Sequence, residues 1–182
     1  MKYLSLLLLA PIVYLLVRLF ILEDVNDPIK YIYTLTGVSA TVILFITITF
    51  SLIRDKINLI KYRRGFGLFG FFYALLHLLN FIVLDAQLDL SFIIEETLDK
   101  SFIYLGMIAF FVLLFMASTS TKKLFKKYNK YHKLIYISLL LITIHWIMAQ
   151  KSLNLYHYLY LGFSIIILSS KIKQIKRVII KK

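Results

Sequence analysis

Six apolar runs, each close to the length of a bilayer crossing, recur along the chain at about 3–22, 33–53, 66–84, 101–119, 131–149 and 155–170. Inside a bilayer no water satisfies a loose backbone N–H or C=O, so only helices or a closed barrel can span it. A barrel would show short alternating strands rather than continuous apolar runs. The expected fold is therefore all-α: a polytopic membrane helix bundle of about six transmembrane helices, forming a single domain over 1–182. A hydrophobic content of 60% and a mean hydropathy of +0.82 agree. The last run is the shortest and can be extended by a snorkelling Lys171. The first has only Lys2 ahead of it and no small-x-small cleavage site before Glu23, so it reads as a retained helix. Segment 86–100 mixes Leu88, Leu90 and Phe92 with Asp89, Glu95 and Glu96, as a short amphipathic surface element would.

A net charge of +13 raises the question of nucleic acid, and the distribution of the charges answers it. Of 22 basic residues, 18 fall at Lys2, Arg54–Arg64, Lys122–Lys133 and Lys171–Lys182. Eight of the nine acids fall in the alternating segments, at Glu23, Asp24, Asp27, Asp85, Asp89, Glu95, Glu96 and Asp99; Asp55 is the exception. That is the positive-inside pattern, and it places both termini on the cytoplasmic side of the membrane. The basic loops also suit anionic lipid headgroups. No cysteine is present, which excludes disulfides, iron–sulfur clusters and thiolate-ligated haem.

Three of the four histidines lie in or at the edge of apolar runs, where an ionisable side chain marks a functional site. Imidazole is a standard axial ligand of haem iron, and two on different helices can hold one haem within a bundle. His77 lies roughly 16 Å into its run at 1.5 Å per residue, just past the midplane towards the outside. His145 falls in the outer half and His132 at the cytoplasmic edge. His77 and His145 are closest in depth and form the first expected ligand pair. His132 and His145 are separated by about 20 Å of rise but some 140° of azimuth on an ideal helix. A shared face therefore needs a kink, tilt or bulge. Arg63, fourteen residues before His77, is only about 40° away from it in the same arithmetic. A histidine at a helix end, such as His132, is often only interfacial. Buried His77 could instead hydrogen-bond a helix backbone or relay protons, a lesser alternative. His157, in Tyr156-His157-Tyr158, reads as an aromatic-belt residue, and Arg18 as a snorkelling cation suited to a haem propionate.

These motifs resemble a known family. Arg63-Arg64-Gly65-Phe66-Gly67-Leu68 followed by Phe72-Tyr73-Ala74-Leu75-Leu76-His77 is similar to the RRxLGL…YaxLH signature of the MsrQ (YedZ) family, within the ferric-reductase-like transmembrane superfamily. The resemblance continues through Asp27-Pro28, Thr36-Gly37, Thr119-Ser120-Thr121, Tyr131-His132-Lys133-Leu134-Ile135-Tyr136 and Ile144-His145-Trp146, in the family's order. It implies a b-type haem protein, with one haem or two, whose haem-histidine positions are His77, His132 and His145. Arg63 then replaces a histidine that other ferric-reductase-like proteins carry on the same helix. It further implies an electron-transfer subunit rather than the catalytic one. Electrons from a cytosolic flavin reductase or the quinol pool would pass to a periplasmic molybdopterin-containing MsrP, which repairs methionine sulfoxide in proteins. FMN and quinone belong to that family picture. Two departures stand out: the loop between Thr121 and His132 is short, with Tyr128 where the family has Trp, and Val38-Ser39-Ala40 follows Thr36-Gly37.

Other classes stay in competition. Another ferric-reductase-like or quinol-linked transmembrane cytochrome b would use the same histidines. A proton-coupled transporter would need an acid within the membrane, yet no Asp or Glu lies inside the six runs. A purely structural subunit would tolerate loss of His77.

Overall fold

The computed structural model describes residues 2–54, 57, 59–150 and 152–180. Asp55, Lys56, Lys151, Lys181 and Lys182, counted in the charge pattern, lie outside the described residues. Among the described residues the regular structure is entirely helical, as an all-α membrane bundle requires. In chain order come α1 (Lys2–Phe20), α2 (Pro28–Leu52), α3 (Ile60–Leu79) running into a π-helical turn (Asn80–Asp85), α4 (Leu90–Asp99), α5 (Ser101–Ser118), α6 (Lys122–Tyr128), a 3-10 helix (Asn129–Leu134), α7 (Ile135–Met148) and α8 (Leu155–Ile180).

Among the described residues, five stretches are long and apolar enough to cross a membrane: Pro28–Leu52, Ile60–Asp85, Ser101–Ser118, Lys122–Met148 and Leu155–Ile172. In α1 the corresponding apolar stretch, Leu6–Phe20, is shorter. Large apolar side chains such as Leu6, Phe20, Val38, Phe111, Leu155 and Phe163 point outwards. In water so many would be an aggregation hazard, but against lipid they are the expected surface.

Local signals set the helix starts. The Asp27 side chain accepts the N–H of Lys30 at 3.0 Å, with Pro28 at the first helical position, so α2 begins ahead of the apolar run at 33. Asp89 caps α4 through the N–H groups of Ser91 and Phe92, at 2.9 and 3.2 Å. Segment 86–100 thus folds largely as a helix, and that helix buries no residue. Thr121 accepts from Leu124 N at 3.4 Å and starts α6. At α8, Asn154 and His157 cap each other reciprocally: Asn154 N donates to His157 Nδ1 at 2.9 Å, and His157 N donates to Asn154 Oδ1 at 3.3 Å.

The chain divides into two compact units, Met1–Thr47 with Tyr62–Glu96, and Ile48–Lys61 with Thr97–Lys182. In the first, α3 closes on α2 at Gly70, where an added Cβ would stand 3.5 Å from Ile43 Cγ2 and 3.7 Å from Ala40 O. Tyr73, fully buried, donates its hydroxyl to Leu8 O at 2.8 Å and ties α3 to α1. In the second unit α5 packs along α7, and α8 also packs on α7. Thr143 Oγ1 lies 3.2 Å from Ser164 Oγ and 3.4 Å from Tyr160 Oη, joining α7 to α8 by polar contacts in an otherwise apolar seam.

Candidate functional site

His77 stands on the last turn of α3, against α2. Its Nδ1 is 3.2 Å from Tyr33 O and 3.3 Å from Thr36 Oγ1. The Thr36 hydroxyl already donates to the carbonyl of Ile32, so it can accept from the ring. Both neighbours thus act as acceptors, which puts the proton on Nδ1 and the lone pair on Nε2. The ring of Tyr33 meets the imidazole edge-on at 5.2 Å, and its hydroxyl donates to Asp85 Oδ2 at 3.0 Å. Gly37 makes the room: a Cβ there would come within 3.2 Å of His77 Cε1 and Nδ1.

His145, on the last turn of α7, is held the same way in the second unit. Its Nδ1 hydrogen-bonds Phe102 O on α5, and the Phe102 ring lies 6.0 Å from the imidazole. A Cβ on Gly106 would fall 2.9 Å from Cε1 and Nδ1. The lone pair is again on Nε2, the usual state of a metal-binding histidine whose other nitrogen is anchored by a carbonyl. Two imidazoles so fixed, each in a cradle that a Cβ would fill, have the donor chemistry that haem iron needs.

His132 differs. It sits on the 3-10 helix, only 8% exposed, with Phe125 edge-on at 4.8 Å. Its Nε2 lies 3.1 Å from Thr119 Oγ1, whose own proton goes to Phe115 O at 2.8 Å. The ring therefore donates through Nε2 in this arrangement. The 3-10 turns wind by about 120° per residue, which reduces the azimuth between His132 and His145 from some 140° to about 80° on a common axis. The distortion that a shared face needs is therefore partly present.

Arg63 is partly exposed on α3, which begins at Ile60. It thus shares one continuous helix with His77, at the opposite end and nearly on the same face. Arg18 pairs with Asp24, Nε to Oδ1 at 2.6 Å, and donates from Nη1 to Tyr14 Oη at 2.9 Å. His157 caps α8 and packs against Trp146 at 4.6 Å, in keeping with its aromatic-belt reading.

Beside the His77 site, α1, α2 and α3 enclose a pocket of about 280 Å³ lined by Leu15, Ile32, Thr36, Leu76, Val83 and Asn80, among others. Asn80 opens the π-helical turn and is 3% exposed. Its Nδ2 donates to Ile29 O at 3.1 Å, while Oδ1 is buried with no hydrogen-bond partner.

The histidines and the Thr36-Gly37 and Thr119-Ser120-Thr121 markers were legible in the sequence; Tyr33, Phe102, Gly106 and Asn80 were not singled out. The usable signal for Gly106 was a lone glycine in the middle of a strongly apolar helix, four residues after an aromatic.

A family model described as ferric reductase like transmembrane component matches residues 54–143. Over 132 residues the chain is 39% identical to the protein-methionine-sulfoxide reductase heme-binding subunit MsrQ of Brucella ovis, covering 69% of this chain and 60% of that protein. The chain belongs to the ferric-reductase-like transmembrane family. The same identity and coverage hold for the MsrQ of Brucella canis, and the MsrQ of Brucella melitensis biotype 2 is 38% identical over 132 residues. The chain thus spans 60% of the length of these curated relatives. No solved structure matches it. The stretch matched within the ferric-reductase-like family, 54–143, includes His77, His132 and Arg63 and stops two residues before His145.

Proposed function

We propose that this protein is the haem-binding membrane subunit of a protein-methionine-sulfoxide reductase system. It carries electrons from the cytoplasmic side of a bacterial inner membrane to a reductase outside it. The observation that carries the reading is the matched anchoring of His77 and His145, each through Nδ1 to a main-chain carbonyl. The similarity to MsrQ subunits supports it. His77 and His145 would each ligate haem iron through Nε2, and His132 and Arg63 are the candidate residues for a second haem. When bound, b-type haem would supply one-electron iron chemistry. The chain's part is to orient the imidazoles, hold their tautomers and exclude water with the surrounding apolar side chains. The outer partner would be an MsrP-like molybdopterin reductase, and the chain would be its electron-transfer subunit rather than the catalytic one. A flavin reductase on the cytoplasmic side, with FMN, or the quinol pool within the membrane would supply the electrons.

Visible spectra of detergent-purified protein, oxidised and dithionite-reduced, test this reading. We expect a Soret band and a low-spin b-type α-band, both lost in His77→Ala and in His145→Ala. Colourless protein from haem-sufficient cells would overturn the cytochrome reading and favour a proton relay.

One observation favours quinol as the donor. The apolar pocket beside His77 carries a buried, unpaired amide oxygen at Asn80, which suits an apolar molecule bearing a hydroxyl. Asn80→Leu should slow reduction by a short-chain quinol and leave reduction by dithionite unchanged. Equal quinol rates in the two proteins would leave the flavin route.

A further inference from the structure

The chain holds two copies of one device. Tyr33 and Gly37 on α2 face His77 on α3, and Phe102 and Gly106 on α5 face His145 on α7. In each, an aromatic residue supplies the carbonyl for Nδ1 and its ring packs beside the imidazole, while the glycine stands four residues further on. Even the chain separation repeats: carbonyl and histidine are 44 residues apart in one copy and 43 in the other.

The glycine has a geometric reason. In an α-helix the carbonyl of residue i points towards residue i+4 and accepts its N–H. A second donor, arriving from a neighbouring helix, must use the remaining lone pair, and the side chain of residue i+4 stands beside that approach. Glycine removes it. The added Cβ would overlap the ring at Gly106, at 2.9 Å, and crowd it at Gly37, at 3.2 Å. By contrast, a Cβ at Gly65 or Gly162 would meet nothing within 4 Å. The first cradle has one extra fastening, the Thr36 hydroxyl, where the second has Leu105. His132 belongs to neither copy, because it is held through the other ring nitrogen.

We propose that Gly37 and Gly106, with the carbonyls of Tyr33 and Phe102, are positioning residues that fix the ring orientation and the Nδ1–H tautomer of two equivalent candidate ligands, and thereby set the reduction potential of haem iron bound by either. An Nδ1–H donated to a carbonyl gives the imidazole partial anionic character, which favours ferric over ferrous iron. Pushing the ring away from its carbonyl should therefore raise the potential. This inference rests on the haem reading above.

The test is redox titration and electron paramagnetic resonance of the purified full chain, with Gly37→Ala, Gly106→Ala, and Gly65→Ala and Gly162→Ala as controls. We expect haem-loaded Gly37→Ala and Gly106→Ala to show a raised potential and displaced low-spin g values, more so at Gly106. Both controls should overlay the parent. Haem-loaded Gly37→Ala and Gly106→Ala proteins that also overlay the parent would overturn the proposal.

Nitrogen NMR of the haem-free parent, 15N-labelled at histidine and assigned with single His→Gln variants, decides the matter should the glycine variants not fold or the parent not take up haem. His77 and His145 should be Nδ1–H tautomers, and His132 and His157 Nε2–H. An Nε2–H tautomer at His77 or His145 overturns the cradles. Nδ1–H tautomers in a parent that never takes up haem uphold the cradles and sink the haem reading instead.

Discussion

Thr119 shows how one hydroxyl can decide what a histidine does. It gives its proton to Phe115 O and receives one from His132, so the ring is fastened to the end of α5. Thr119→Val keeps the shape and removes the acceptor, leaving a buried N–H without this partner, at a cost of about 1–3 kcal/mol. Thermal unfolding in detergent should show the loss, and Thr119→Ser should restore most of it. Should Thr119→Val unfold with the parent, the Nε2 of His132 has a different job, and iron ligation is the first to examine. The identity of the three histidines was readable along the chain. Which nitrogen each commits was not, because that depends on carbonyls and hydroxyls from residues 13 to 44 positions away.

Between elements, small residues govern how close the helices come. Without a hydrophobic drive between helices in lipid, contact depends on close van der Waals packing. Gly70 provides it between α3 and α2. An alanine there would touch Ile43 at ordinary contact distance, 3.5 Å, so Gly70→Ala should melt close to the parent. Gly70→Leu overfills the seam and should cost about 1–3 kcal/mol, read as a lowered melting temperature. Equal stability of the two variants would show that α2 and α3 are free to part. Apolar runs alone put α2 and α3 at 33 and 66 rather than at Pro28 and Ile60, because helices start at local caps such as Asp27-Pro28, Asp89, Thr121 and Asn154 rather than where hydrophobicity begins. The π-helical turn at Asn80–Asp85 and the 3-10 segment at Asn129–Leu134 interrupt runs that read as uniform helix, because packing rather than composition determines such winding defects.

At the level of the whole molecule, the alternation of basic and acidic segments predicts the side on which each loop lies. The natural absence of cysteine makes that directly measurable. Lys126→Cys, in the basic segment at α6, should resist a membrane-impermeant maleimide in intact spheroplasts and react after lysis. Glu95→Cys, on α4, should react in intact spheroplasts. The reverse pattern would invert the topology and place His77 and His145 nearer the cytoplasmic face. It would also undo the proposed direction of electron flow while leaving the haem reading intact.

Membrane insertion, the helical class and the candidate histidines followed from the chain alone, because hydrophobicity and charge act on each segment independently of its neighbours. The first cradle was half visible, in Thr36-Gly37 and His77, and the second only in His145. What completes both is the partner helix, which brings a carbonyl and a missing side chain to one face of an imidazole. That arrangement was left to tertiary structure for a physical reason: a main-chain carbonyl is the same in every residue. Only packing decides which of them a distant ring can reach.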